Sequence, residues 1–345
     1  MTRRVRVLVV DDSAFARKVM REVLAADPRI EVIAIARDGL DALEKIAELA
    51  PDVVTLDLVM PQLDGVGVLD AIRDRPDPPR VVVVTMSDAD SVLGVAALQA
   101  GAFDVVHKPT ALATDRLYEL GKELVEKVIL AAERAPGDRA PRTSPVPLAL
   151  DSTVRATRTT MLVVGASTGG PRAITQLLHA LPADFPVPVG IVVHMPPGYT
   201  DAFANRLDRE CPLEVVEARE GLALIPGRVV IARAGIHFKM RATPEGWTCA
   251  LDVQPMEALH RPSVDALFTS AATIAGRGTL GVVLTGMGSD GLEGARAIHA
   301  AGGRILVEHE SSCVVYGMPR AVADHGLAEA RFPMPGMAAA IIERL

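Results

Sequence analysis

Ser167, His194 and Asp290 differ in type, but each follows an aliphatic run that reads as a β-strand. Ser167 ends "MLVVGAS", His194 ends "PVGIVVH", and Asp290 lies in the glycine-rich loop after "TLGVVLTG". In an open parallel sheet, ligands sit at the carboxyl ends of the strands. The three residues are therefore expected on one rim as a nucleophile, a base that takes its proton and a carboxylate that orients the base. The string around the serine, "GASTGG", fits a strand-turn-helix nucleophile elbow. It also stands where a dinucleotide fingerprint would stand. That second reading wants glycine in place of Ser167 and an acid in place of His194, with Asp184 lying too early in "LPADFP". Of the neighbours, Ala166 has no hydroxyl and Thr168 offers a more hindered one, so Ser167 is the candidate. Plainer roles exist for each residue: Ser167 as a helix cap, His194 as a packed histidine with His260 and His309 as rival bases, and Asp290 as a turn residue in "GSDG".

A second constellation precedes it. The strand candidates of the first half deliver Asp11 and Asp12, Asp57, Thr85 and Lys108 at their carboxyl ends. Crowded carboxylates repel unless a cation lies among them, and all-oxygen ligands suit Mg²⁺. Asp11, Asp12 and Asp57 are thus candidate metal ligands, and Lys108 with Thr85 can hold the oxygens of a phosphoryl group.

The elements that must position these residues alternate between strand and helix. "VRVLVV", "IEVIAIA", "DVVTLDL", "RVVVVTM" and "AFDVVHK" read as strands, and "SAFARKVMREVLA", "DGLDALEKIAEL" and "SVLGVAALQAG" between them have helical spacing. That alternation predicts a doubly wound parallel sheet, closed by a helix over "DRLYELGKELVEKVILAA". A proline-rich stretch without periodicity follows and reads as a linker. The second half repeats the alternation, with an antiparallel hairpin expected in "HFKMRATPEGWTCALDV". The fold class is α/β with two doubly wound parallel-sheet domains. Expected boundaries are 1–125 for the first domain, 126–158 for the end of its terminal helix and the linker, and 159–345 for the second.

Composition narrows the function. The 345 residues suit roughly two cores, and 49% hydrophobic with 3% aromatic residues describes the aliphatic interior of covered parallel sheets. A net charge of −7 argues against a nucleic-acid partner. Cys211, Cys249 and Cys313 are neither paired nor spaced for zinc and read as buried thiols of a reducing cytoplasm. No apolar stretch approaches the roughly 18 residues of a membrane span.

The first half resembles the receiver domain of two-component response regulators through "VLVVDDSAFARKVM", "DVVTLDLVMPQLDG", "VVTMS" and "HKP". The resemblance implies that Asp57 takes a phosphoryl group from a histidine kinase, that Asp11 and Asp12 help hold Mg²⁺, that Thr85 and Lys108 stabilise the phosphoryl group, and that the Lys108-Pro109 bond is cis. The second half, from about residue 160 to 343, resembles the chemotaxis protein-glutamate methylesterases of the CheB family through "VVGASTGGP", "VHMPPG", "RPSVDALF", "LTGMGSDG" and "SCVVYGMP". That implies Ser167 as nucleophile, His194 as general base, Asp290 as orienting acid and an oxyanion site near Met287, with no cofactor for the esterase step. It further implies a cytoplasmic enzyme, phosphorylated by a chemotaxis kinase, that removes methyl esters from the helices of chemoreceptors, with glutamine deamidation as a second activity of some relatives. Val193, "IARAG" and "VEHESS" depart from the family pattern. The rival readings are a non-catalytic phosphorelay adaptor and a nucleotide-binding output domain.

Overall fold

The computed structural model describes residues 3–85, 91–108, 114–133 (side chains from 121) and 158–345. The chain divides into two compact units, Met1–Arg139 and Ala140–Leu345.

Unit one contains β1 (Val5–Val10), α1 (Ala14–Ala25), β2 (Ile30–Ala36), α2 (Gly39–Leu49), β3 (Val53–Leu56), α3 (Gly65–Ile72), β4 (Arg80–Thr85), α4 (Ser91–Ala100), β5 (Asp104–His107) and α5 (Thr114–Glu133). The strands lie in the order β2-β1-β3-β4-β5, and every pairing is parallel. Because β3 and the inner part of β4 are buried on both faces, they are almost wholly aliphatic, with Thr55 in β3 the exception. Caps fix the helix starts: Ser13 Oγ accepts from Ala16 N, Asp38 from Asp41 N and Asp64 from Gly67 N. α1 packs beside α5, and α2, α3 and α4 form a second row. The expected linker and the Lys108-Pro109 bond lie outside the described residues.

Unit two contains β6 (Met161–Ala166), α6 (Gly170–His179), β7 (Val189–Val193), α7 (Tyr199–Glu210), β8 (Glu214–Glu217), β9 (Arg228–Ile231), β10 (His237–Thr243), β11 (Gly246–Asp252), α8 (Val264–Ala275), β12 (Thr279–Val283), α9 (Leu292–Ala300), β13 (Arg304–Glu308), α10 (Met318–Asp324), β14 (Ala330–Phe332) and α11 (Met334–Ile342). Seven strands form a parallel sheet in the order β14-β13-β12-β6-β7-β9-β8. The expected hairpin is β10-β11, antiparallel and packed on α8. Every residue of β6, β7 and β12 is buried, so the sheet's centre lies wholly within the core.

At two glycines, backbone approach decides the local geometry. A Cβ on Gly165, in β6, would stand 2.3 Å from Val264 Cγ1; its absence lets α8 begin directly against the strand that leads to Ser167. A Cβ on Gly286 would stand 2.8 Å from Ser167 Cβ, so the loop after β12 lies against the serine. Cys249 and Cys313 are buried, whereas Cys211 is partly exposed at the end of α7, which corrects the reading of all three as buried. A helix C-cap lies near the surface, and the sequence around Cys211 has no apolar run to cover it.

Candidate functional site

In unit one, the ends of β1 and β3 bring Asp11, Asp12 and Asp57 together, with ligand oxygens all within 4.8 Å of one another. Asp11 and Asp57 are buried and Asp12 is exposed. From the end of β5, Lys108 Nζ donates to Asp57 Oδ2 at 2.9 Å and also to Asp11 Oδ2. Asp57 Oδ1 accepts from Leu58 N (2.8 Å) and Asp11 Oδ1 from Ser13 N (2.9 Å). Burial pushes the Asp57 carboxyl above its ordinary range against the pull of Lys108, and the Asp11 charge adds to the rise. Thr85 is buried at the end of β4, and its carbonyl accepts from Lys108 N at 2.7 Å. All five predicted pocket residues therefore share one rim. A donor set of carboxylate oxygens only, with more negative charge than one lysine neutralises, fits a hard divalent cation.

In unit two, Ser167 occupies the tight turn between β6 and α6. Its N–H donates to the Thr285 carbonyl (3.0 Å), and its own carbonyl accepts from Gly170 N (2.6 Å). It does not cap α6: the N-cap is Gly169, at φ 79°. His194 follows β7 directly, its N–H donating to the Ala166 carbonyl at 3.1 Å. The imidazole Nε2 bonds Asp290 Oδ2 at 2.9 Å, while the buried Nδ1 has no hydrogen-bond partner.

Asp290 is more than a turn residue. Its Oδ2 also accepts from Val264 N (2.7 Å), and its Oδ1 accepts from Ser263 Oγ (2.9 Å) and Asp265 N (3.0 Å). It therefore caps the start of α8 while holding His194. Asp265 returns the arrangement, its Oδ1 accepting from Gly291 N (2.9 Å) and Gly294 N (2.7 Å) at the start of α9. Two helix starts are thus cross-capped by two acids, each acid lying where helix N–H groups favour negative charge. Burial disfavours the Asp290 anion, but the His194 bond and the Val264 and Asp265 N–H groups outweigh it and hold the carboxyl well below the usual range. For Asp265, burial outweighs the lowering bond from Gly294 N–H and, with the Asp290 charge added, pushes it up to about 6.

Met287 sits half-buried on a loop pinned from several sides. Thr285 N donates to the buried Glu308 Oε2 (2.8 Å), Thr285 Oγ1 donates to the Thr168 carbonyl (3.0 Å), and the N–H groups of Gly317 and Met318 converge on the Gly286 carbonyl (3.1 and 2.9 Å). Of the rival bases, His260 lies against His194 as a stacked ring, with centroids 4.1 Å apart. His309 is exposed and bonded to Ser311. Ser263, Asp265 and Glu308 carry weight that sequence reasoning did not assign. Only the serine and acid at the start of a helical pattern in "RPSVDALF" hinted at the first two.

The sequence matches the family model described as CheB methylesterase over residues 162–341 and that of the response regulator receiver domain over residues 7–119. It is 58% identical over 339 residues to a protein-glutamate methylesterase/protein-glutamine glutaminase of Myxococcus xanthus, covering 97% of this chain and 96% of the relative. A relative of the same description from Oleidesulfovibrio alaskensis is 40% identical over 363 residues, covering 98% of each chain. Among solved structures, the Thermotoga maritima CheB methylesterase catalytic domain superposes with a TM-score of 0.53 at 38% identity, covering 55% of this chain and all of that one.

Proposed function

Because the chain belongs to the CheB methylesterase family and carries a receiver domain in the same polypeptide, we propose that it hydrolyses glutamate methyl esters of chemoreceptors in the cytoplasm, under the control of phosphorylation at Asp57. The observation that supports this most directly is the bond from His194 Nε2 to an Asp290 carboxylate whose remaining positions are filled by Ser263, Val264 and Asp265. That acid has one free task, to fix and charge-balance the imidazole.

With Nε2 committed to Asp290, Nδ1 is the nitrogen left to take the Ser167 proton. The Ser167 Oγ attacks the ester carbonyl carbon, and Nδ1 receives its proton. The carbonyl oxygen becomes an oxyanion facing the N–H groups of the pinned loop near Met287. The C–O bond to the methoxy group then breaks, the proton on His194 passes to it, and methanol leaves. Water attacks the acyl-serine carbonyl, giving a proton to Nδ1; the bond from the carbonyl carbon to Ser167 Oγ breaks as Nδ1 returns that proton to Oγ, and the released acid ionises to a carboxylate in water. Ser167 Oγ makes no hydrogen bond to His194 in this structure, which suits a contact that tightens when substrate binds. An amide is a poorer acyl donor than an ester, so glutamine deamidation by the same cycle is the slower reaction.

In the receiver domain, Asp57 is the acceptor of a phosphoryl group from a histidine kinase. Asp11, Asp12 and Asp57 would hold Mg²⁺, which when bound offsets the charge of the phosphoryl oxygens. Lys108 and Thr85 bind those oxygens from the opposite side. We place the receiver within residues 1–125, the end of its last helix and the linker at 126–158, and the catalytic domain at 159–345.

Methanol release from membranes carrying a methylated chemoreceptor, together with fluorophosphonate labelling, tests the reading. Release by the intact chain and labelling lost in Ser167→Ala support it. No release, or labelling retained in Ser167→Ala, overturns it.

A further inference from the structure

The segment joining β11 to α8 borders the reactive histidine, and nothing in the catalytic cycle uses it. Along it, Val253, Met256 and Leu259 are 48%, 53% and 90% exposed. Single exposed apolar residues are ordinary, but three within seven positions of one segment leave apolar area that water disfavours and a partner would cover. The patch is held in place. Gln254 N donates to Asp252 Oδ1 (2.9 Å), Arg261 Nη2 donates to the Met256 carbonyl (2.9 Å), and His237 bridges the segment by donating from Nε2 to the Pro255 carbonyl and accepting at Nδ1 from Ser263 N, both at 3.2 Å. At its far end His260 stacks on His194. The segment therefore ends against the base of the triad.

We propose that residues 253–260 form a docking lip for the apolar side of the substrate helix, gripping it one turn away from the ester being cleaved. The proposal rests on the esterase reading above and adds the surface by which the macromolecular substrate is recognised. It is carried by continuity: the segment ends at His260, whose ring stacks on the reactive imidazole, so a chain seated on Val253, Met256 and Leu259 is led towards His194. A helix presents neighbouring side chains three and four positions from the ester, which lets one contact hold the helix while another reacts. The chemistry also separates substrate from product. A methyl ester is neutral and ends in an apolar methyl group, whereas the product is an anion arriving beside the ionised Asp290. Apolar contact with repulsion of the anion favours binding the one and releasing the other.

The test compares the full-length chain with Leu259→Ser and Met256→Ser/Leu259→Ser, with Ile342→Ser on α11 as an exposed apolar control (42% exposed). Two reactions are followed: methanol release from membranes carrying a methylated chemoreceptor, and hydrolysis of p-nitrophenyl acetate, which is too small to reach the lip. We expect the lip variants to raise KM on membranes about tenfold, the effect of losing one or two buried apolar side chains. Both their kcat on membranes and their p-nitrophenyl acetate kinetics should stay within about twofold. Leu259→Met should retain the parental KM. An unchanged KM overturns the proposal. So does an equal loss in both reactions, which would mean that the segment serves His194 through His260. A parental dimer dissolved by Leu259→Ser would overturn it in favour of self-association. If the parent chain cleaves p-nitrophenyl acetate but releases no methanol, the receptor reading fails and the lip falls with it, an outcome distinct from the others.

Discussion

The two strand-end rims are built to one plan and handle negative charge in opposite ways. In the receiver, Asp11 and Asp57 face a lysine that neutralises only part of the acid cluster. In the catalytic unit, no lysine or arginine is paired with Asp265 or Asp290 among the described residues; His194, one hydroxyl and N–H groups at the start of α8 occupy both oxygens of Asp290, and N–H groups at the start of α9 occupy Oδ1 of Asp265. A carboxylate cluster short of positive charge is ready to take a cation, while a carboxylate saturated by fixed donors can only orient what already touches it. The same architecture thus gives one rim suited to a cation and phosphoryl oxygens and another suited to orienting a base, according to how the lone pairs are used.

The strongest test of that contrast is Ser167→Ala, expected to lower methanol release by at least ~10³-fold, because nucleophile and base act as a unit. It should leave Mg²⁺-dependent phosphorylation of Asp57 intact. Conversely, Asp57→Asn should abolish labelling by a small phosphodonor and all donor-dependent stimulation, while basal methanol release persists. Chelation with EDTA sharpens the same point: it should stop phosphorylation and leave basal release unchanged. Chelator-sensitive basal release would break the comparison.

The cross-capped helix starts predict a smaller effect. Asp265→Ala leaves the Gly291 and Gly294 N–H groups without their acceptor, at a cost of about 1–3 kcal/mol, and loosens the loop that carries Asp290. We expect kcat to fall about tenfold with KM little changed, read in the methanol assay, and a lower melting temperature. The smallest effect concerns pH. The Asp265 carboxyl titrates near 6 in the folded chain against an ordinary 3.8, so between those values the folded state binds the extra proton and stability falls as pH rises. Asp290, held low, contributes the opposite sign: stability that is lost as pH falls below the ordinary range. Asp265→Asn should therefore flatten the loss of stability between about pH 4 and 6 in urea titrations. An unchanged slope would show that burial does not raise the Asp265 carboxyl in the folded chain.

Much of this was legible in the chain. Both rims follow from what stands at the end of each aliphatic run, because parallel strands buried on both faces leave few other places for polar residues. The helix after "MPQLDG" was not anticipated, since α3 is short and its "GVGV" start has poor helical propensity. β8 and β14 are edge strands of four and three residues, too short for periodicity to mark. Asp265 looks like any acid in a first helical turn, and only the approach of α8 to Gly165 makes it part of the site. His260 was visible as a histidine, but its ring stack is a three-dimensional fact.

The parallel ladders β12-β6-β7 carry a consequence for how the enzyme is made. They bring the loops that carry Ser167, His194 and Asp290 to the carboxyl ends of three adjacent strands at the centre of the sheet, and contacts such as that of Thr285 with Thr168 join positions 117 apart in the chain. Helices and turns form from neighbours, whereas these ladders close only after large loops have paid their entropy. No local fragment of unit two contains a working rim. During refolding, far-ultraviolet ellipticity should therefore recover ahead of esterase activity, and the first hydrolysed ester reports a finished sheet.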